Sequence, residues 1–484
     1  MAKRPGNKGG PPPQNKPQGK QVQIPHDALV AQLNAMNAAG DFQKVMDFGA
    51  KQPAVVGSSP ALMSAYADAA RGLKLWDQAE ELRRKVLAME PDHPATINNL
   101  IVLLIRRDAY EEAETLAREL VARNADHIEA RYNLSLILLN TGRREEALKE
   151  ARAVLARKGE HMMAHFVVGL ALLGLGRLAE GWPEFEARVH PVNAKGNIAP
   201  PPVAYPAWRG EPLHGRSILI WMEQGLGDEI MMARYAAELK SRGAAKVTLV
   251  CKPAMAPLFR HLKGVDDFYV AEGQFTLPLH DYWTYPMSVP FGCRTTLETI
   301  PANIPYLAPS DAARTAAAGL RGPTGAGLWV GLVWKGAAIL VNDHNRSLPN
   351  LETLRPLWDV PGLGFFSLQK GQGEEQAAAP PADQPLVDLA PQLTDLDRAA
   401  AFIGRMDVVV TVDTSIAHLA GALGKPCLLM LPAIAQDWRW MDRDYSPWYP
   451  SMTLFRQKTP KDWGPVIAEV AADLARRVRA SDRI

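Results

Sequence analysis

Val408-Val-Val-Thr-Val-Asp413-Thr414-Ser415-Ile-Ala-His418-Leu-Ala-Gly-Ala-Leu-Gly-Lys-Pro426 is the stretch on which the fold of this 484-residue chain turns. The valine-rich run carries no alternation, which predicts a strand buried on both faces, as in a parallel sheet. Asp413-Thr414-Ser415 predicts a tight turn into a helix, and Gly424 and Pro426 predict its end before a further strand, Cys427 to Leu431. In such a turn the backbone amides and the hydroxyls of Thr414 and Ser415 face the ligand edge of the sheet, where a phosphate fits. His418 lies one helical turn from Thr414 and reaches the same anion. A plainer reading has Asp413 as a helix cap and His418 as a satisfied core residue. The motif alone leaves both open.

Outward from this stretch the same pattern repeats. Strands are predicted at Trp329–Trp334, Phe365–Leu368, Val408–Val412 and Cys427–Leu431. Helices are predicted at Leu351–Leu357, Asp397–Gly404, Ile416–Leu423 and Val466–Val478, the last packing back on the preceding lobe. Before the Gly- and Pro-bearing segment Gly322–Gly327 comes an earlier series. Its strands are Ser217–Trp221, Lys246–Cys251 and Asp267–Val270, and its helices run from the glycines after the first strand to Ser241 and over Ala254–Leu262. Two doubly wound lobes in succession make a cleft, and open α/β sheets bind ligands beyond the carboxyl ends of their strands. Polar and basic residues follow several strands: Lys335, then Arg346, and Gln369 with Lys370. Each alone reads as a surface residue; together on one edge they would neutralise a diphosphate.

The first lobe has its own turn, Glu223-Gln-Gly225-Leu-Gly227-Asp228-Glu229. Gly225 and Gly227 let the backbone turn tightly into a helix whose N-terminus attracts anions. A dinucleotide site is excluded on two counts: Ile230 replaces the third small residue, and the next strand ends in Val250-Cys251 rather than an acid. Asp228 reads either as a helix cap or as a general base at the cleft that deprotonates a hydroxyl.

Ahead of both lobes the chain is periodic. Phe42, Trp76 and Tyr110 are spaced by 34 residues, and Arg144 and Leu178 continue the register. Three positions after the anchors come Val45, Ala79, Ala113, Ala147 and Gly181; Asp92-His93 recurs as Asp126-His127. This resembles the tetratricopeptide repeat, in four to five copies between Ala28 and Val189, a helical superhelix whose groove usually holds a peptide or protein. Packing on the next domain is the alternative use.

Composition sets the outer bounds. A net charge of +2 gives no reason to expect a nucleic-acid partner. Lys3, Arg4, Lys8, Lys16 and Lys20 lie in a Pro- and Gly-rich stretch without acids, which reads as a disordered basic arm. The N-terminal stretch holds no apolar run of the kind a secretory signal needs, and the most apolar later run, Met162 to Leu175, contains His165 and is too short to span a bilayer. Cys251, Cys293 and Cys427 are few and scattered, so no disulfide framework or metal spacing follows, and a reducing cytoplasm is expected.

Gly225-Leu-Gly-Asp228 and the Asp413–Pro426 stretch look like the two signatures of family 9 glycosyltransferases, the heptosyltransferase-like enzymes. Asp437-Trp-Arg-Trp440, Ser446-Pro-Trp-Tyr-Pro450 and Leu454-Phe-Arg-Gln457 are similar to bacterial proteins that join tetratricopeptide repeats to such a module. The resemblance implies a GT-B fold of two Rossmann-like lobes and an inverting, metal-independent transfer from a nucleotide-diphosphate sugar, with no cofactor. It implies Asp228 as the base that activates the acceptor. It implies Gly225, Gly227, Lys335, Arg346, Gln369, Lys370, Asp413, Thr414, Ser415 and His418 on the donor side. Ser415 stands where these enzymes usually have glycine. The expected architecture is therefore α plus α/β: a basic arm at 1–25, repeats at 26–190, a linker at 191–214, the acceptor lobe at 215–320 and the donor lobe at 328–484. The acceptor would be a protein or glycan in the repeat groove. A non-catalytic scaffold and a nucleotide-sugar epimerase are the competing readings.

Overall fold

The computed structural model describes residues 25–194, 198–223, 225–273, 275–340 and 342–481, so the basic arm lies almost wholly outside the described residues. The chain divides into two compact units, one ending at Ala109 and the other beginning at Tyr110.

The first unit is helical. His26–Ala38 pairs with Phe42–Lys51 and Pro60–Gly72 with Trp76–Met89, and Pro94–Arg106 follows. Ser59 accepts the Leu62 N–H at 3.2 Å and Pro60 occupies the first helical position, which starts its helix cleanly. Leu29, Leu33, Val45, Leu62, Tyr66, Ala69 and Val86 form the core, on the faces that the period marks as apolar.

The second unit begins with the same design in Tyr110–Arg123, Ile128–Asn140, Arg144–Leu155, Met162–Gly174 and Leu178–Phe185. The small residues Ala113 and Ala147 are fully buried, as close helix pairing requires. Histidines start three helices at the repeat spacing. Nδ1 of His93 accepts the Thr96 N–H at 3.3 Å, His127 that of Ala130 at 3.2 Å and His161 that of Ala164 at 3.1 Å.

The rest of the second unit is α/β. A four-stranded sheet has the order β3-β2-β1-β4, from Ser217–Ile220 (β1), Lys246–Cys251 (β2), Asp267–Val270 (β3) and Tyr282–Thr284 (β4). A six-stranded sheet has the order β10-β9-β8-β5-β6-β7. Its strands are Leu328–Val333 (β5), Leu363–Ser367 (β6), Val387–Asp388 (β7), Val408–Val412 (β8), Cys427–Leu431 (β9) and Met452–Arg456 (β10). Every strand pairing in both sheets is parallel. The strand order reverses between β1 and β4 in one sheet and between β5 and β8 in the other, so each crevice opens at the carboxyl ends of those strands. Part of the proline-rich stretch after the repeats is packed: the Trp208 N–H donates to Trp283 O at 2.7 Å, beside β4.

Several sequence expectations change. β4, β7 and β10 are strands beyond those expected; β4 and β7 are only three and two residues long, and parallel pairing supplies their bonds. The helix expected to run to Ser241 breaks into Leu226–Met232 and Tyr235–Ser241. Between them Arg234 is buried, donating to the carbonyls of Met231 (3.0 Å), Pro301 (3.2 Å) and Trp448 (2.8 Å). Ala254–Leu262 shortens to a 3₁₀ turn and Ala256–Phe259. The last helix, Gly464–Ser481, packs on its own lobe: Val466, Ile467, Val470 and Leu474 meet Leu351, Leu354 and Val330 there.

Candidate active site

The two sequence turns meet. The helix from Leu226 contacts the helix from Ser415. A Cβ at Gly227 would fall 2.6 Å from His418 Cδ2, so glycine is what lets the turns approach. Both leave the carboxyl ends of strands at a reversal point, Asp228 after β1 and Asp413 after β8.

Of the two roles that the sequence left open for Asp228, the structure shows the helix cap. Asp228 Oδ2 accepts the Gly225 N–H at 2.9 Å, as an N-terminal cap, while its Oδ1 pairs with Arg439. Burial raises its pKa, and Arg439 and the Gly225 N–H temper the rise. The carboxylate is part-exposed, at 16 %.

His418 is buried, stacked on Trp440 at 5.2 Å between ring centroids, with Nδ1 3.0 Å from the Tyr449 hydroxyl. Burial, with Arg439 nearby, pushes its pKa down to about 3, so the ring is neutral. Assigning Nδ1 as the acceptor from Tyr449 leaves the proton on Nε2, the atom nearer Gly227. His418 is thus a satisfied core residue that still has one N–H to give.

Asp413 is pushed up to about 6 by burial and by Asp437 beside it, with Arg346 and Arg439 opposing. Burial also works against the charge of Asp437. Its contacts with Arg439 outweigh that and hold it below the usual carboxylate range. Asp413 is not the helix cap: Thr414 takes that position, and its Oγ1 lies 3.2 Å from Thr411 Oγ1. The N–H groups of Ser415 and Ile416 have no backbone partner among the described residues, leaving two donors at the helix start.

β5 and β8 are neighbours with Val333 beside Thr411, so Lys335 and Asp413 emerge on one sheet edge. The Lys335 ammonium has no ion pair among the described residues. Arg346 Nε pairs with Asp343 Oδ1 at 3.2 Å and lies against Gly336. Gln369 is different. Its Oε1 accepts the N–H of Trp334 (2.9 Å) and of Lys335 (3.0 Å), and its Nε2 donates to the carbonyls of Lys335 (3.0 Å) and Gln372 (2.8 Å). Those four bonds use its full amide capacity, so it braces Lys335 rather than reaching a ligand. Lys370 turns towards Glu374 Oε1 and Ala390 O, both at 3.0 Å, and is not brought to the two turns by these bonds.

Arg439 and Asp437 were not among the sequence candidates. Arg439 is 7 % exposed, pairs with Asp437 Oδ2 at 2.6 Å as well as with Asp228, and lies 3.8 Å from Met287 Sδ. The available signal was an arginine between two tryptophans, Trp438 and Trp440, since a charge in so apolar a context needs a buried partner. Among the described residues no three His, Cys, Asp or Glu side chains are grouped to hold a metal ion, and no helix is long and apolar enough to cross a membrane.

Residues 363–431 match the family model of glycosyltransferase family 9 (heptosyltransferase), and residues 132–189 match that of a tetratricopeptide repeat. The chain therefore carries a repeat segment and a family 9 segment, and the latter supports a glycosyltransferase activity. Over 317 residues the chain is 29 % identical to Protein FlbA of Caulobacter vibrioides, covering 61 % of this chain and 52 % of that protein. It thus spans about half the length of that relative. Among solved structures, MamA (AMB-1) is 19 % identical with a TM-score of 0.28, covering 34 % of this chain and 95 % of that one. YrrB, described as a TPR protein with an unusual peptide-binding site, is 17 % identical with a TM-score of 0.31, covering 37 % and 93 %. Scores this low carry no argument.

Proposed function

We propose that the chain is an inverting glycosyltransferase that moves a sugar from a nucleotide-diphosphate donor to a hydroxyl on a protein or glycan acceptor. The observation that carries the reading is the meeting of the Asp228 turn and the Asp413–His418 turn at the reversal points of two parallel sheets, with Gly227 against His418.

In a single displacement, the acceptor oxygen attacks the anomeric carbon as the bond to the diphosphate oxygen breaks. Asp228 takes the hydroxyl proton. The charge developing on the leaving diphosphate is met by the N–H groups of Ser415 and Ile416, the hydroxyls of Thr414 and Ser415, the Nε2–H of His418, and the cations Lys335 and Arg346. Gly225 and Gly227 leave room for the donor. Gln369 serves by bracing Lys335, while Lys370, held by Glu374 and the Ala390 carbonyl, has no part in this scheme. No metal or cofactor enters this scheme. The acceptor is assigned to the repeat helices. The reading includes a reducing cytoplasm, on the ground that Cys251, Cys293 and Cys427 are buried and unpaired.

The test is thermal melting of the full chain against nucleoside diphosphates and nucleotide sugars, repeated with Asp413→Ala and Lys335→Ala, because a ligand that binds the folded state raises the midpoint. A shift with one nucleotide that both variants lose is expected. Turnover should then fall by about 10²- to 10⁴-fold in Asp228→Asn with the donor-induced shift retained. No shift with any nucleotide sinks the reading in favour of a scaffold. Conversion of the donor without an acceptor points to an epimerase.

A further inference from the structure

Arg439 stands where several parts of the second unit converge. Its guanidinium joins Asp228 of the first lobe to Asp437 of its own turn, lies 3.8 Å from Met287 Sδ and stacks 4.7 Å over the Trp438 ring. The turn that carries it is flanked by two non-glycine residues with positive φ, Ala435 (51°) and Met441 (47°). Such conformations persist only where the surroundings hold them.

Here repeat helices supply the hold. The Ala435 N–H donates to Asn140 O at 2.6 Å, at the end of helix Ile128–Asn140. Arg144 pairs with Asp442, next to Met441. Trp182 and Phe185 of the last repeat helix pack edge-on against Trp438, at 5.5 and 5.8 Å between centroids. The same repeat reaches the other turn. Arg188 pairs with Glu223 at 2.7 Å, the two side chains 1 % and 0 % exposed, and donates to Ser288 Oγ at 2.7 Å. Glu223 lies two residues before Gly225. The final repeats therefore grip both the turn that bears Asp228 and the turn that bears Arg439.

We propose that Arg439 is the positioning residue of the catalytic centre, fixing Asp228 and keeping it ionised, and that the last repeat helices set its place. On this view those repeats are part of the catalytic centre as well as a binding surface. The proposal rests on Asp228 being the base. The charged and titratable groups around Asp228 are Arg439 and Asp437 from the turn after β9, Glu223 and Glu229 from its own turn and helix, Lys252 after β2, and His418 across Gly227. Lys252 pairs with Glu229 at 3.0 Å, and His418 is neutral, so the cation bonded to Asp228 is Arg439. Removing it leaves burial and like charges to favour the protonated carboxyl.

The experiment is the pH profile of kcat, with donor KM, for the full chain, Arg439→Gln, Arg439→Lys and Arg144→Leu. Arg439→Gln should move the acid limb up by about one to three pH units, the range by which a close cation shifts an aspartate. Donor KM should change less than kcat does at low pH, since the bonds of Arg439 go to Asp228 and Asp437 rather than to the donor-side residues. Arg439→Lys should restore much of the shift, and Arg144→Leu should move the limb the same way by less. An unmoved acid limb, with kcat lower at every pH, overturns the proposal. A wild-type chain that turns over no donor counts against the proposed function itself. The pairing is then read from melting midpoints of Asp228→Asn, Arg439→Gln and the double variant, where additive losses reject it. The same cycle decides the matter should Arg439→Gln alone prove too unstable for kinetics, with Arg439→Lys in its place.

Discussion

The repeats before Ala109 and those after Tyr110 obey one 34-residue pattern and use it differently. In the first unit the anchor Phe42 packs on Gly72, and the anchor Trp76 lies under Arg106 at 4.0 Å, thirty residues on in each case. At the same register in the second unit the anchor is Arg144, which packs on Gly174 and reaches out to Asp442. Buried arginines differ likewise. Arg83 pairs with Asp68, a carboxylate still 34 % exposed, whereas Arg188 pairs with Glu223, which is 0 % exposed. A repeat that only closes its own core keeps an apolar anchor. In the second unit one anchor, Arg144, is instead a long cation that reaches another fold, while Leu178 of the last repeat stays apolar and leaves that task to Trp182 and Arg188.

The sharpest test of this contrast replaces each buried arginine by methionine. Arg188→Met takes away the cation that bonds both oxygens of the buried Glu223 carboxylate and should cost about 3–5 kcal/mol in denaturant unfolding. Arg83→Met lets Asp68 turn to water and should cost about 1–3 kcal/mol. Equal losses would break the comparison. Next come the tryptophans. Trp182→Phe forfeits a hydrogen bond to Thr295 O (3.0 Å) inside a 1 %-exposed site, and should cost about 2 kcal/mol. Trp76→Phe, at a half-buried position, should stay below about 1 kcal/mol.

A smaller effect concerns the histidine caps. Burial lowers the pKa of His161, and its Nδ1 must stay unprotonated to accept the Ala164 N–H. The unfolded chain therefore takes a proton that the folded one refuses, and stability from this site is full above about pH 6.5 and declines as pH falls below it. Glu184 acts in the opposite sense on His165, which is held protonated to higher pH against its own burial. The informative quantity is thus the difference between wild type and His161→Ser. Serine caps without titrating, as Ser59 does at the same register in the first unit. The variant should lose the acid-side decline, worth about 0.5–1 kcal/mol, in melting curves from pH 5 to 8. A difference that stays flat across that range rejects the assignment. The smallest change is expected from exposed pairs in either unit. Arg107→Ala and Arg118→Ala should each shift stability by no more than about 1 kcal/mol, and less in high salt.

Much of this was readable from the chain. Asp228, Asp413, Thr414, Ser415 and His418 sit in short motifs whose glycines, caps and strand neighbours are local, so spacing alone carries each turn to the carboxyl edge of its own sheet. Lys335 was placed by the same reasoning, since it simply follows a strand. Gln369 and Lys370 also follow a strand, yet their amide and ammonium groups are taken by partners that come from folding: the Trp334 and Lys335 backbone for one, Glu374 and Ala390 for the other. Arg439 was missed because its meaning lies in a partner 211 residues away.

By itself the sequence determined the elements: a helical repeat of fixed period, two series of buried parallel strands, and two glycine- or hydroxyl-bearing turns at strand ends. These follow from local chemistry, from the 3.6- and 2-residue periods and from the few residues that can turn or cap a chain. Only the tertiary structure decided that Gly227 meets His418, that Arg439 joins Asp228 to Asp437, and that Arg144, Trp182 and Arg188 bind repeats to the turns that bear Asp228 and Arg439. Those contacts bring together residues far apart in sequence. Their partners are chosen by packing and by the need to neutralise buried charge, which no local pattern encodes.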